Sequence, residues 1–93
     1  MTVKIIEVQA GAELSLQRHR QRAELWIALD PGLAVEVDGQ RWEPAVGEEV
    51  WLPVGTVHRL AASGERGGRM LEVAFGRFDE DDIERLSDRY GRA

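Results

Sequence analysis

Turn-forming residues recur roughly every eight to twelve positions along this chain, and that spacing limits it to many short strands joined by tight connections. Asp38-Gly39, between Val35–Val37 and Arg41–Glu43, is the sharpest of these signals, because both positions tolerate the positive φ of a two-residue hairpin turn. Asp30-Pro31-Gly32 and Pro53-Val54-Gly55 mark two more turns, in which proline fixes φ and glycine accepts left-handed backbone. Between the turns the pattern predicts strands over Val3–Gln9, Leu14–Gln21, Glu24–Leu29, Val35–Val37, Arg41–Glu43, Glu49–Leu52, Val57–Ala61 and Arg69–Phe75. Ser63–Gly68 reads as a glycine-rich loop. Short strands of this kind are expected to close into an all-β barrel or sandwich, since closure protects exposed edges.

The last segment breaks the pattern. Asp79-Glu80-Asp81-Asp82 precedes Ile83 and Leu86, with Arg85 and Arg89 behind them. Acid first and base last match the helix dipole, so a short C-terminal helix packed outside the barrel is expected, its acidic face solvated. With 93 residues, no internal repeat and no linker, residues 1–93 read as one domain. A domain this short is marginal on burial alone, and a homodimer interface is expected to help.

Composition narrows the chemistry. The chain has no cysteine, which excludes disulfides and thiolate metal sites and fits a reducing, cytoplasmic setting. No apolar run reaches the roughly 20 residues that span a bilayer, and no signal-peptide pattern opens the sequence. Seventeen acidic against twelve basic residues give a net charge of −5, which disfavours nucleic acid and anionic membrane as partners. Yet Arg18, Arg20 and Arg22 crowd around His19, a neighbourhood compatible with a small anionic ligand.

His19 and His58 are the two histidines. Strand alternation would project Ser15, Gln17, His19 and Gln21 to one face and turn Arg18 and Arg20 to the other. If that polar face meets solvent, His19 is an ordinary surface residue. If it points into a barrel, His19, Gln21 and Glu24 converge as nitrogen and oxygen donors of the kind divalent metals accept. His58 follows Gly47, a strand and the Pro53-Val54-Gly55 turn.

That second arrangement resembles the second signature of the cupin superfamily, and His19-x-Gln21-x-x-Glu24 resembles the first, with its second histidine replaced by glutamine. Leu14-Ser15-Leu16-Gln17, His19, Arg22-Ala23-Glu24 and Trp26-Ile27 are similar to the signature of type II mannose-6-phosphate isomerases, found in the C-terminal cupin of bifunctional mannose-1-phosphate guanylyltransferase/isomerase enzymes. Leu71-Glu72-Val73, Gly76, Glu80-Asp81-Asp82-Ile83 and Asp88-Arg89-Tyr90-Gly91-Arg92 resemble the same family's ending. The segment is too short for the nucleotidyltransferase domain and has no glycine-rich nucleotide loop, so guanylyltransferase chemistry is not expected of it.

The resemblance implies a small cupin jelly-roll barrel holding a divalent metal, of the Zn, Mn, Co, Ni or Fe class, on His19, Glu24 and His58, with Gln21 as a weaker fourth ligand. Gln21 and Leu25 stand where the family pattern has histidines, and Pro31, Ala62 and Ala74 replace its glycine, asparagine and glutamine. Gln21→His is therefore expected to raise metal affinity. The implied reaction is aldose–ketose isomerisation of a sugar phosphate, with Glu72 as base and Arg22 and Arg59 as phosphate clamps. Glu72 reads equally well as a rim carboxylate paired with arginine. The alternative function is a cupin that binds a metal or carbohydrate-type ligand without turnover, which the lost histidines favour. A different metal-dependent activity, such as an oxygenase, has no positive sign in the sequence. Trp26, Trp42 and Trp51 read as core or interface, with Trp26 the best candidate for stacking on a sugar.

Overall fold

The computed structural model describes residues 1–63, 65–76 and 82–87, with backbone alone considered at 84, 85 and 87. Nine strands follow in order: β1 (Thr2–Val8), β2 (Leu16–Arg18), β3 (Arg22–Ala28), β4 (Leu33–Val37), β5 (Gln40–Trp42), β6 (Glu49–Leu52), β7 (His58–Ala62), β8 (Gly68–Gly76) and β9 (Glu84–Ser87). They form two antiparallel sheets, one of order β1-β8-β3-β6 and one of order β5-β4-β7-β2-β9. The all-β expectation holds. No helix among the described residues is long and apolar enough to cross a membrane.

Turn chemistry sets the register. Asp38 (φ 47°) and Gly39 (φ 86°) both adopt left-handed backbone and close β4 onto β5, as the Asp-Gly pair predicts. Gly55, at φ 83°, turns the chain between β6 and β7, and its N–H donates to the His19 carbonyl at 2.9 Å. That bond ties the two histidine-bearing segments together.

Strand alternation divides each sheet into an inner and an outer row. In β3, Arg22, Glu24, Trp26 and Ala28 are buried while Ala23, Leu25 and Ile27 are half-exposed. The inner surface is itself divided along the barrel axis. Toward one end lie Val8, Ala28, Leu33, Val35, Leu52, Leu60 and Met70, an apolar core that supplies the burial energy. Toward the other, Arg22 and Glu24 of β3, His58 of β7 and Glu72 of β8 are buried together with His19.

Two elements differ from expectation. Residues 84–87 form β9, paired antiparallel with β2, where the charge pattern predicts a helix. Asp79, Glu80, Asp81 and Arg89, which carry the rest of that helix expectation, lie outside the described residues. The strand expected over Leu14–Gln21 is regular only at Leu16–Arg18, because the chain bends at Arg20 and Gln21 before β3. The bend is held from outside: the Asp82 carboxylate accepts the Arg20 N–H at 2.9 Å and the Gln21 N–H at 2.8 Å. Asp82 is thus a structural clamp, not merely part of a solvated acidic run.

Candidate functional site

The bend decides which side chains enter the barrel. Uninterrupted alternation would bring in His19 and Gln21, but the irregular step at residues 20–21 turns His19 and Arg22 inward and leaves Gln21 exposed. The expected fourth donor therefore lies outside the buried cluster, and Arg22 stands in its place. His19, Glu24 and His58 do meet, with one ligand atom from each within 4.8 Å of the others.

The contacts are specific. Glu24 Oε1 lies 3.5 Å from His19 Nε2 and 3.4 Å from His58 Nε2. The opposite ring nitrogens are taken up: His19 Nδ1 donates to the Asp82 carbonyl at 2.6 Å, and His58 Nδ1 donates to the Thr56 carbonyl at 3.0 Å. With Nδ1 as the donor, each Nε2 presents a lone pair toward Glu24. Trp26 packs edge-on against the His58 ring, with centroids 5.2 Å apart.

Burial lowers the pKa of His58 to about 4 and lowers that of His19 too, outweighing the carbonyl hydrogen bonds that pull both upward. Both rings are consequently neutral at neutral pH. Burial also pushes Glu24 up, to about 8, and the adjacent Glu72 carboxylate adds to this against the opposing pull of Arg22. Glu72 goes the other way. Burial alone would raise it, but hydrogen bonds from Trp26 and Glu24 and the Lys4 ammonium together hold it below the usual carboxylate range.

Does this donor set fit the divalent cation that the resemblance implies? Glu24 is 1% exposed, and its Oε1 is one of two buried side-chain polar atoms without a hydrogen-bond partner among the described residues. Two imidazole lone pairs and one oxygen of Glu24, which a bound cation would keep ionised against the upward pull of burial, converge, and each imidazole is anchored through its far nitrogen by a backbone carbonyl. That is the geometry and supporting hydrogen bonding expected of a metal centre. The three donors fit. One feature competes: Arg22 Nε donates to Glu24 Oε2 at 3.2 Å, and its Nη2 lies 3.3 Å from His19 Nε2.

These groups line a cavity of about 200 Å³ with Lys4, Gln17, Trp26, Glu72 and Ile83 among its walls. Glu72 is buried inside, its Oε1 accepting from Trp26 Nε1 at 3.0 Å and its Oε2 lying 3.5 Å from Lys4 Nζ. Glu72 is thus paired with a lysine rather than an arginine. Lys4 is a cavity residue that sequence reasoning missed; the signal was its parity with Ile6 and Val8 along β1, and its cross-strand partner is Glu72. Arg59 contributes to the wall, but its guanidinium is held by Glu13 in a network with Arg41 and Glu36, and β7 alternation sets it opposite the face of His58 and Leu60. Trp26 is buried in the cavity wall, Trp42 donates to Glu48, and Trp51 is exposed.

A larger groove of about 510 Å³ lies toward the opposite strand ends, between Glu7, Asp30, Arg66 and Arg69. There Asp30 and Arg69 satisfy one another through a two-pronged ion pair, and among the described residues no orphaned buried atom faces it. The convergent buried donor groups lie in the smaller cavity.

Comparison with known proteins identifies the family and the fold. Residues 1–88 match the family described as mannose-6-phosphate isomerase C-terminal. The alginate biosynthesis protein AlgA of Pseudomonas aeruginosa is 43% identical over 91 residues, covering 97% of this chain and 19% of that protein. The mannose-1-phosphate guanylyltransferase of Escherichia coli is 37% identical over 91 residues, again covering 97% and 19%. The chain thus spans about a fifth of the length of these relatives. Among solved structures, the capsular polysaccharide assembling protein CapF of Staphylococcus aureus superposes with a TM-score of 0.76 at 19% identity, over 92% of this chain and 26% of that one. The cupin domain of Cnp3 from Schizosaccharomyces pombe superposes with a TM-score of 0.74 at 16% identity, over 81% and 55%. These likenesses bear out the cupin barrel expected from the two histidine motifs.

Proposed function

Because the chain belongs to the mannose-6-phosphate isomerase C-terminal family, we propose that its cavity performs metal-assisted aldose–ketose isomerisation of a hexose phosphate. The observation that carries this reading is the convergence of His19, Glu24 and His58 beside a second buried carboxylate, Glu72, in one cavity.

Isomerisation of this kind moves a proton between adjacent carbons through an enediol. It needs a base over those carbons, charge stabilisation at two oxygens and a hold on the phosphate. Glu72 suits the base, because Trp26 and Lys4 keep it ionised where burial alone would protonate it. It takes the proton from the carbon next to the aldehyde and returns it to the former carbonyl carbon, so one C–H bond breaks and another forms with no net redox change. A divalent cation held by His19, Glu24 and His58 would supply Lewis-acid polarisation of the two substrate oxygens. Lys4, part-exposed at the cavity mouth, is in position to meet the phosphate, and buried Arg22 adds positive charge further in. In this reading Arg59 is not a clamp, since Glu13 occupies its guanidinium. The guanylyltransferase activity named for one relative is not assigned to these residues.

A second reading rests on Arg22. Its guanidinium already bridges Glu24 and His19, which favours a barrel that keeps its charge balance internally and binds a carbohydrate-type ligand or metal without turnover. Conversion of mannose 6-phosphate to the ketose by protein loaded with Mn, Co, Zn or Ni separates the two. The isomerase reading predicts turnover that Glu72→Gln lowers about 100-fold or more at unchanged metal content. No product from metal-loaded wild-type protein would favour the second.

A further inference from the structure

The cavity has two unlike walls. Lys4, Arg22, Trp26 and Glu72 stand on the four-stranded sheet and carry most of its charge. The wall beside β2 and β7 presents an uncharged polar pair, Ser15 and Gln17, from the Leu14-Ser15-Leu16-Gln17 motif that the isomerisation chemistry does not use. Backbone contacts pin this pair in place. The Leu14 N–H donates to the Leu60 carbonyl at 2.9 Å, Glu13 bridges to Ala61, and Gln17 lies directly across from His58 in the β2–β7 register.

Ser15 is buried, and Gln17 Nε2 donates to its Oγ at 3.0 Å. The same nitrogen lies 3.4 Å from the Ser15 carbonyl, which fixes the amide orientation, because a carbonyl accepts only from the NH₂ side. Two hydrogen-bonding capacities stay open. Among the described residues, Gln17 Oε1 has no donor, and the Ser15 hydroxyl, already an acceptor, has no acceptor for its own proton.

We propose that Ser15 and Gln17 read the hydroxyl groups of a polyol phosphate bound in the cavity. An acceptor and a donor side by side match an alcohol, which donates and accepts at once, whereas a phosphate dianion only accepts. The bond between the two side chains holds them in place, so little rotamer freedom is lost when a ligand docks. With the phosphate at Lys4, the pair meets the hydroxyl-bearing carbons next to His58. The inference rests on the carbohydrate reading of the cavity, not on turnover.

Calorimetric titration with mannitol phosphate, an open-chain polyol with no carbonyl to isomerise, tests this against inorganic phosphate as the reference. In the presence of Zn, the wild type is expected to bind the polyol phosphate at least about tenfold more tightly than inorganic phosphate. Ser15→Ala and Gln17→Met are each expected to lose about tenfold in polyol-phosphate affinity, with inorganic phosphate affinity, metal content and circular dichroism spectrum unchanged. A wild type that binds both ligands equally would overturn the inference, as would variants in which both affinities fall together or neither falls. Turnover of mannose 6-phosphate is scored separately. Variants that convert it at the wild-type KM overturn the inference and leave the isomerase reading standing. Polyol selectivity that both variants lose, in a protein without turnover, supports the inference and counts against the isomerase reading.

Discussion

Glu24 Oε1, buried and without a hydrogen-bond partner, is the atom on which the site depends, and Arg22 is its competitor. A divalent cation on His19, Glu24 and His58 would meet the Arg22 charge at close range. At about 6 Å and an effective dielectric of about 20, that repulsion is roughly 3 kcal/mol per unit charge pair. Arg22→Met is therefore expected to tighten divalent-metal binding by tenfold or more in calorimetry. It should also destabilise the metal-free protein by at most about 3 kcal/mol, because a buried pair loses one partner while Glu24 can take up a proton instead. Gln21→His, the change that spacing alone recommends, is expected to leave affinity unmoved. The opposite ranking of these variants would mean that position 21 reaches the metal. His19, Glu24 and His58 were legible because motif spacing survives local irregularity. Gln21 was misread because face assignment does not: one bend inverts parity, and the side chain that makes the bend, Asp82, lies over 60 positions downstream.

Among the elements, Asp82 links the C-terminal segment to the site in two ways. Its carbonyl fixes the His19 ring, and its carboxylate holds the bend that turns Arg22 inward. Asp82→Ala keeps that carbonyl but removes the carboxylate that holds the bend, and by loosening the segment that carries His19 and Arg22 it is expected to weaken metal binding by about tenfold, with little change in folding stability. Unchanged affinity would show that the bend holds itself. Gly67 tests the opposite end. It sits at φ 72°, and a β-carbon there would lie 2.2 Å from the Val8 carbonyl oxygen. Gly67→Ala should therefore lower unfolding free energy in urea by about 1–3 kcal/mol or more, without altering the metal site. The turns and strand positions were readable because Asp38-Gly39 and the Pro-x-Gly pattern act locally. The strand at 84–87 was not: acid-then-base order fits a helix dipole, but the unpaired edge of β2 offers backbone hydrogen bonds that a local pattern cannot register.

On the scale of the whole molecule, the barrel separates its duties by direction. One end of the interior is apolar and supplies stability, the other is polar and holds the cavity; one outer face is charged, the other apolar. The net charge of −5 divides unevenly as well, since residues 79–93 contain six acids and three arginines and contribute −3, leaving −2 for residues 1–78. Lys4 and Arg22 both line the cavity, and the anionic substrate proposed for it rests on them. The central claim is that His19, Glu24 and His58 act as one cation-binding set, and elemental analysis of protein purified without chelator and supplied with Mn, Co, Zn or Ni tests it most directly. Close to one metal per chain is expected for the wild type, falling below about 0.1 in Glu24→Gln, which keeps the shape of the side chain but removes its charge. Less than about 0.1 metal per wild-type chain, or full occupancy in Glu24→Gln, would contradict it.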